Sequence, residues 1–179
     1  AVPARLFTEL INTFVHDKVF LTAEKNILTL SCGGSEATLS GIDASEFPPL
    51  PVHQEKKGVE ITTDVLKNNL PFVLISVSTD ESRPLLTGVK FESKGNQTAL
   101  IATDGYRLSV KKLPQVKGIG EGIIISARTL GEAYRVMAEE KAGAVDLYLS
   151  PDKNQAMLVM PQVQIATRLI EGEYPTYEK

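Results

Sequence analysis

Cysteine and histidine are scarce in this sequence, which limits the chemistry that it can carry. Cys32 is the only cysteine among 179 residues, so an internal disulfide and a cysteine-rich metal site are both excluded. It lies in an apolar run, and we expect a small buried core residue rather than a nucleophile. The two histidines, His16 and His53, have no second ligand at metal-binding spacing, and we expect both to be exposed. No metal or cofactor is therefore predicted.

Long hydrophobic runs and an excess of basic residues are also lacking. No apolar run is long enough to cross a bilayer, so no membrane association is predicted. Residues 1–5 lack the features of a signal peptide, and a start without methionine is expected of an excised piece. The lone cysteine fits a reducing, cytoplasmic location. The net charge of −3 argues against coating nucleic acid with the whole surface, but it allows one basic face.

An Asp-Gly pair divides two strand-like stretches in the middle of the chain. Residues 98–103 are apolar, and Asp104-Gly105 suits a two-residue hairpin turn. If the strand resumes at Tyr106, that ring and Leu108 share one face, which would make a docking surface for a peptide. An ordinary hairpin is the alternative. Asp104 has no second carboxylate to work with, and we expect it to accept bonds from the following amides rather than to act in catalysis.

The same order of elements occurs three times. A helix over residues 3–14 and strands over 19–22, 26–32 and 35–41 resemble a later helix from Ala127 and strands over 145–149, 155–160 and 164–171. Landmarks recur with them: Ala4-Arg5 corresponds to Ala127-Arg128, and Glu46-Phe47-Pro48 corresponds to Glu173-Tyr174-Pro175.

A middle copy has the same order of elements but a different sequence. It consists of a strand over 59–62, a helix from Thr63 as candidate N-cap, and strands over 86–93, 98–103 and 106–113. Pro71 should kink or split that helix. We therefore predict an α+β chain of three β-α-β-β-β units, with one domain over 1–54 and another over 55–179. The last two units could close a domain together, whereas the missing half of the first is expected to precede residue 1.

Several basic side chains lie outside the apolar stripes of these helices. They are Arg5, Lys67, Arg128 and Arg135. If the helices of successive units share one face, these residues form a basic strip that meets phosphates without reading bases. An ordinary solvated helix face is the alternative.

The repeat order, the stretch Ala102-Thr103-Asp104-Gly105-Tyr106-Arg107-Leu108 and the closing residues 169–177 resemble the bacterial DNA polymerase III beta subunit family, the sliding clamps. The resemblance covers the second half of the first domain and the whole middle domain. It implies a non-catalytic homodimeric ring around double-stranded DNA, with sheets outside and helices on the inner face. Its expected partners are the polymerase III alpha subunit, a clamp loader and other proteins with clamp-binding motifs.

The resemblance also assigns sites. It makes Arg83 a further DNA contact, and it gives the middle domain half of a peptide pocket formed by Leu86, Thr103, Gly105, Tyr106, Arg107, Leu108, Pro175 and Lys179. Tyr106 stands where the family usually has histidine, and Thr176 where it usually has aspartate. With only half of the pocket, the chain alone is expected to bind peptide weakly or not at all.

Two other functions compete with this interpretation. A non-enzymatic repeat scaffold would bind only proteins. An enzyme of unknown class would need catalytic residues, but no phosphate-binding loop and no serine–histidine arrangement is recognisable.

Overall fold

The computed structural model describes residues 1–15, 18–46, 58–113, 116–120, 122–141 and 143–177. The chain divides into two compact units, Ala1–Leu50 and Pro51–Lys179. Both histidines and the expected boundary between residues 54 and 55 lie outside the described residues.

The first unit is one helix followed by an antiparallel meander. Its sheet has the order β1-β2-β3, and Ile42 N–H bonds back to the carbonyl of Ala1 at 2.8 Å. The elements are α1 (Ala4–Thr13), β1 (Phe20–Glu24), β2 (Ile27–Cys32) and β3 (Ser35–Ser40). This order matches the prediction for the first copy.

The first unit buries little apolar surface. No residue of α1 is buried, and Leu6 and Phe20 are 53% and 69% exposed. Leu30 and Cys32 of β2 are buried, so the expectation for Cys32 is confirmed. A lone unit that leaves an apolar helix face uncovered is what the repeat argument predicted.

The second unit contains two full β-α-β-β-β repeats. The first repeat is β4 (Val59–Thr62), α2 (Thr63–Leu74), β5 (Gly88–Lys94), β6 (Gln97–Thr103) and β7 (Leu108–Leu113). The second is β8 (Ile123–Ser126), α3 (Ala127–Glu140), β9 (Ala144–Leu149), β10 (Gln155–Val159) and β11 (Gln164–Arg168). The predicted α+β class and repeat order are confirmed.

The two repeats interlock by exchanging their first strands. One sheet has the order β7-β6-β5-β8 and the other β11-β10-β9-β4. Thus β4 pairs with β9 of the second repeat, and β8 pairs with β5 of the first. All of these pairings are antiparallel. Neither repeat can complete its sheet alone, so the two form a single domain.

Helices α2 and α3 and the two sheets of the second unit bury their apolar faces in one core. Helices α2 and α3 contact each other, and their buried stripes contribute Leu66, Leu70, Leu130 and Met137. The outer face of each sheet points away from this core. On β6, Leu100 and Ala102 face the core while Ile101 faces outward, as alternation along a strand requires.

Local predictions failed around α2. Thr62, not Thr63, is the N-cap, because Thr62 has an extended backbone and Thr63 is already the first helical residue; the Thr63 hydroxyl donates to the Gly143 carbonyl at 3.3 Å. Helix α2 also runs unbroken through Pro71, so the predicted split is wrong. The buried stripe continues past the proline to Val73, and this packing outweighs the lost backbone bond.

Candidate nucleic-acid interface and partner pocket

The corner between β6 and β7 is wider than predicted. We define the corner as residues 103–108. Thr103 pairs with Leu108, so the loop contains residues 104–107 instead of a two-residue turn. Tyr106 therefore lies in the loop rather than on β7, and its side chain is 95% exposed. The prediction that Tyr106 and Leu108 share a strand face is wrong.

Asp104 organises this loop, which explains its extra width. Its Oδ1 accepts hydrogen bonds from the backbone N–H groups of Tyr106 and Arg107, both 2.9 Å long. Its Oδ2 accepts one from Arg107 Nε at 2.8 Å. The two backbone bonds, with the Arg107 guanidinium, lower the pKa of Asp104 from 3.8 to about 2. The expectation that Asp104 accepts bonds from the following amides is confirmed.

Thr103 connects the corner to the end of the chain. Its hydroxyl donates to the Arg107 carbonyl at 2.7 Å and accepts from Gly105 N–H at 3.1 Å. Its own N–H donates to the Tyr174 hydroxyl at 3.1 Å. The predicted pocket residues of the corner are thereby tied to the residue next to Pro175.

The last described residues, 170–177, form a tail on the outer face of the β7-β6-β5-β8 sheet. The tail begins with a bond from Ile170 N–H to the Ile124 carbonyl at 2.9 Å. The Tyr174 ring is buried against Ile101 and Ile124, and this burial raises the pKa of Tyr174. The exposed Pro175 follows it directly.

The other predicted pocket residues differ in how accessible they are to a ligand. Leu86 lies in a 3₁₀ turn (Pro84–Thr87) and is only 7% exposed, so little of it can meet a ligand in this conformation. Arg83, a predicted DNA contact, lies beside the corner. Its Nη1 is 3.6 Å from the position that a Cβ on Gly105 would occupy. Lys179 lies outside the described residues.

The predicted DNA contacts on α3 lie opposite its buried face. Arg128 and Arg135 are seven residues apart and share one face, since two turns of helix separate them. Both are exposed. The buried residues of α3, Leu130, Ala133 and Met137, lie on the other side. On α2, Lys67 is half-buried at the edge of the stripe formed by Leu66 and Leu70.

Acidic neighbours compensate most of these basic residues. Arg5 pairs with Glu9 at 2.8 Å, Arg83 with Asp80 at 3.1 Å, and Arg135 with Glu132 at 3.1 Å. Within the described part of the chain, Lys67 and Arg128 make no ion pair. Helix α3 carries two basic and three acidic side chains, which gives it a formal charge of −1. Of the four residues in the predicted strip, Arg5 and Arg135 are thus paired with acidic neighbours, whereas Lys67 and Arg128 are not.

A protein-family model matches most of the second unit. The model for the DNA polymerase III beta subunit, central domain, matches residues 60–176, which is the interlocked pair of repeats. The chain belongs to the DNA polymerase III beta subunit family. Within this family, "Beta sliding clamp" proteins of Staphylococcus aureus and Staphylococcus epidermidis are 33% and 31% identical over 177 and 176 residues. Each match covers 97% of this chain but only 46% of the relative.

Solved sliding clamps share the fold. The clamp from Bacillus subtilis superposes with a TM-score of 0.81 at 29% identity, covering 98% of this chain and 46% of that one. The clamp from Bartonella birtlesii reaches 0.86 at 24% identity, covering 98% and 48%. The predicted clamp fold is confirmed, and the chain spans about half the length of the beta subunits that it matches.

Sequence reasoning missed the acidic partners in this beta-subunit fragment. Glu9, Asp80 and Glu132 each lie within four residues of the basic side chain that they pair with. Spacing of i,i+3 or i,i+4 on a helix or turn is a visible signal for such pairs. Among the described residues, no cluster of acidic, histidine and cysteine side chains could hold a metal, and no helix is long and apolar enough to span a membrane.

Proposed function

We propose that this chain is part of a sliding clamp, a non-catalytic ring that encircles duplex DNA and tethers the replicative polymerase. Residues 1–54 would be the second half of its first domain, and residues 55–179 its middle domain. The match of residues 60–176 to the central-domain model supports this division.

One observation carries the proposal: α2 and α3 lie in contact on one core, with the outer faces of both sheets turned away from it. A ring built from such domains can present helices to DNA and sheets to solvent. Partly compensated charges, such as Arg135 beside Glu132, suit this role, because a ring that slides needs weak contacts that do not depend on sequence. Arg5, Lys67, Arg83, Arg128 and Arg135 remain the proposed DNA contacts.

The corner and the tail would form the middle-domain half of a pocket for partner peptides. The exposed side chains of Tyr106 and Leu108 offer apolar contact area, and Pro175 lies on the tail that Thr103 anchors. We expect the polymerase III alpha subunit and the clamp loader to dock here, in a homodimeric ring of the full-length protein.

Topological retention tests this function. The full-length protein would be loaded onto nicked circular plasmid by its loader and passed over a sizing column at moderate salt. We expect it to co-elute with the circle and to be lost after one restriction cut, since a ring slides off an end. Equal retention on circular and linear DNA would refute encirclement, and retention on neither would favour the protein-binding scaffold.

A further inference from the structure

The tail has few backbone contacts after its first residues. Beyond Ile170, no backbone–backbone hydrogen bond joins residues 171–177 to the rest of the described chain. The position of this segment must therefore come from side chains.

Tyr174 provides the first attachment, on the N-terminal side of Pro175. Its ring is 6% exposed, and its hydroxyl accepts the Thr103 N–H of the corner. This attachment fixes the start of the segment but leaves the residues after Pro175 undetermined.

Tyr177 provides the second attachment, on the C-terminal side of Pro175. Its hydroxyl donates to Glu92 Oε2 at 2.5 Å, while Lys90 Nζ lies 2.6 Å from Glu92 Oε1 and Lys94 Nζ 3.5 Å from Oε2. Lys90 Nζ is also 5.9 Å from the ring centroids of both Tyr174 and Tyr177, within cation–π range. The Glu92 side chain is only 12% exposed, so these bonds form in a partly dry setting.

Packing holds only part of the segment. Tyr177 packs against the cluster of Tyr174, Ile101 and Ile124, but a pocket of about 360 Å³, partly open to solvent, lies beside the segment. It is lined by residues 172–177 on one side and by Lys90, Glu92, Lys94, Gly122 and Ile124 on the other. Because this pocket borders the tail, losing an attachment leaves the tail room to move.

We propose that Glu92 is a positioning residue for the partner pocket, holding Pro175 in register with the corner through Tyr177. This inference rests on the proposed function, which assigns Pro175 and the corner to that pocket. Fixing both sides of Pro175 before a peptide arrives lowers the ordering cost of binding. Glu92 itself lies beneath the tail on β5 and acts without touching the peptide.

The test compares Tyr177→Phe with wild type in the full-length protein. This change removes one hydroxyl and keeps the ring. Proteolytic cleavage within residues 171–177 should become about tenfold faster, because the segment opens more often when a hydrogen bond to a charged acceptor is lost. The affinity for a synthetic peptide copying the clamp-binding segment of the polymerase alpha subunit should fall about tenfold by calorimetry, since fewer molecules hold the competent conformation.

Two controls separate positioning from general destabilisation. Tyr134→Phe removes the same atom from α3, where the hydroxyl has no partner among the described residues, and it should leave both readouts unchanged. Glu92→Ala should reproduce the Tyr177→Phe effects. Glu92→Gln keeps an oxygen that can accept the Tyr177 hydroxyl, and it should restore most of the binding that Glu92→Ala loses.

The outcomes distinguish this inference from the proposed function. If wild type binds the peptide and Tyr177→Phe binds equally well, the positioning role is refuted while the clamp function stands. If Glu92→Gln binds as poorly as Glu92→Ala, the inferred link through Tyr177 is likewise refuted. If wild type itself does not bind the peptide, the pocket assignment fails, and the positioning role fails with it.

Discussion

Neutralising Glu132 should strengthen the grip of the clamp on DNA, because it releases Arg135. The two side chains meet at 3.1 Å and are 51% and 68% exposed, respectively. An exposed pair of this kind contributes about 0–1 kcal/mol to stability, so Glu132→Gln should barely affect folding. It also changes the formal charge of α3 from −1, with two basic and three acidic side chains, to neutral.

The expected size of the effect follows from counterion release. One added phosphate contact steepens the plot of log affinity against log salt by about 0.9, which is roughly a threefold greater loss of affinity between 50 and 200 mM salt. We would titrate fluorescent duplex DNA with the full-length protein over this range. Glu60→Gln is the matched control, because it makes the same charge change on the outer face of β4, away from the helices.

The slopes of log affinity against log salt show whether Arg135 contacts DNA. We expect a steeper slope for Glu132→Gln and an unchanged slope for Glu60→Gln. Equal slopes for Glu132→Gln and wild type would show that Arg135 does not reach DNA. Equal steepening by both variants would show a response to net charge alone.

Three further changes test individual contacts. Tyr174→Phe leaves the Thr103 N–H without its acceptor and should lower the free energy of unfolding by about 1–3 kcal/mol in urea denaturation. The lowered pKa of Asp104 contributes stability that is full above about pH 3.8 and is lost as pH falls through about 2, so Asp104→Asn should flatten the acid side of the stability profile. Pro71→Ala restores a donor to the Lys67 carbonyl and should raise stability by about 2 kcal/mol in thermal melting. An unchanged urea midpoint, an unaltered acid limb or a lower melting temperature would contradict these expectations in turn.

The order of helices and strands could be predicted because it depends on local sequence patterns. Apolar spacing marked the helices, and the repeated Ala-Arg landmarks at Arg5 and Arg128 aligned the outer copies. The exchange of β4 and β8 could not be predicted. Each is a four-residue strand whose sequence would suit its own repeat as well as the other, so only tertiary packing decides the pairing.

The site was less predictable than the fold. Asp104-Gly105 favours a two-residue turn, but the Asp104 carboxylate also caps a longer loop, and local sequence does not distinguish the two. The attachment of Tyr177 to Glu92 joins residues 85 positions apart, with no local signal. The ion pairs of Arg5, Arg83 and Arg135, in contrast, have i,i+3 or i,i+4 spacing that is visible in the sequence.

If this domain belongs to an encircling ring, DNA meets its helix side and not its sheet side. A photo-crosslinking amino acid would be placed at Arg128, on the outward face of α3, or at Lys112, on the outer face of β7. Each full-length variant would be loaded onto circular duplex and irradiated. We predict DNA crosslinks from position 128 and none above background from position 112. Crosslinks from position 112 with none from position 128 would show that DNA meets the sheet side instead.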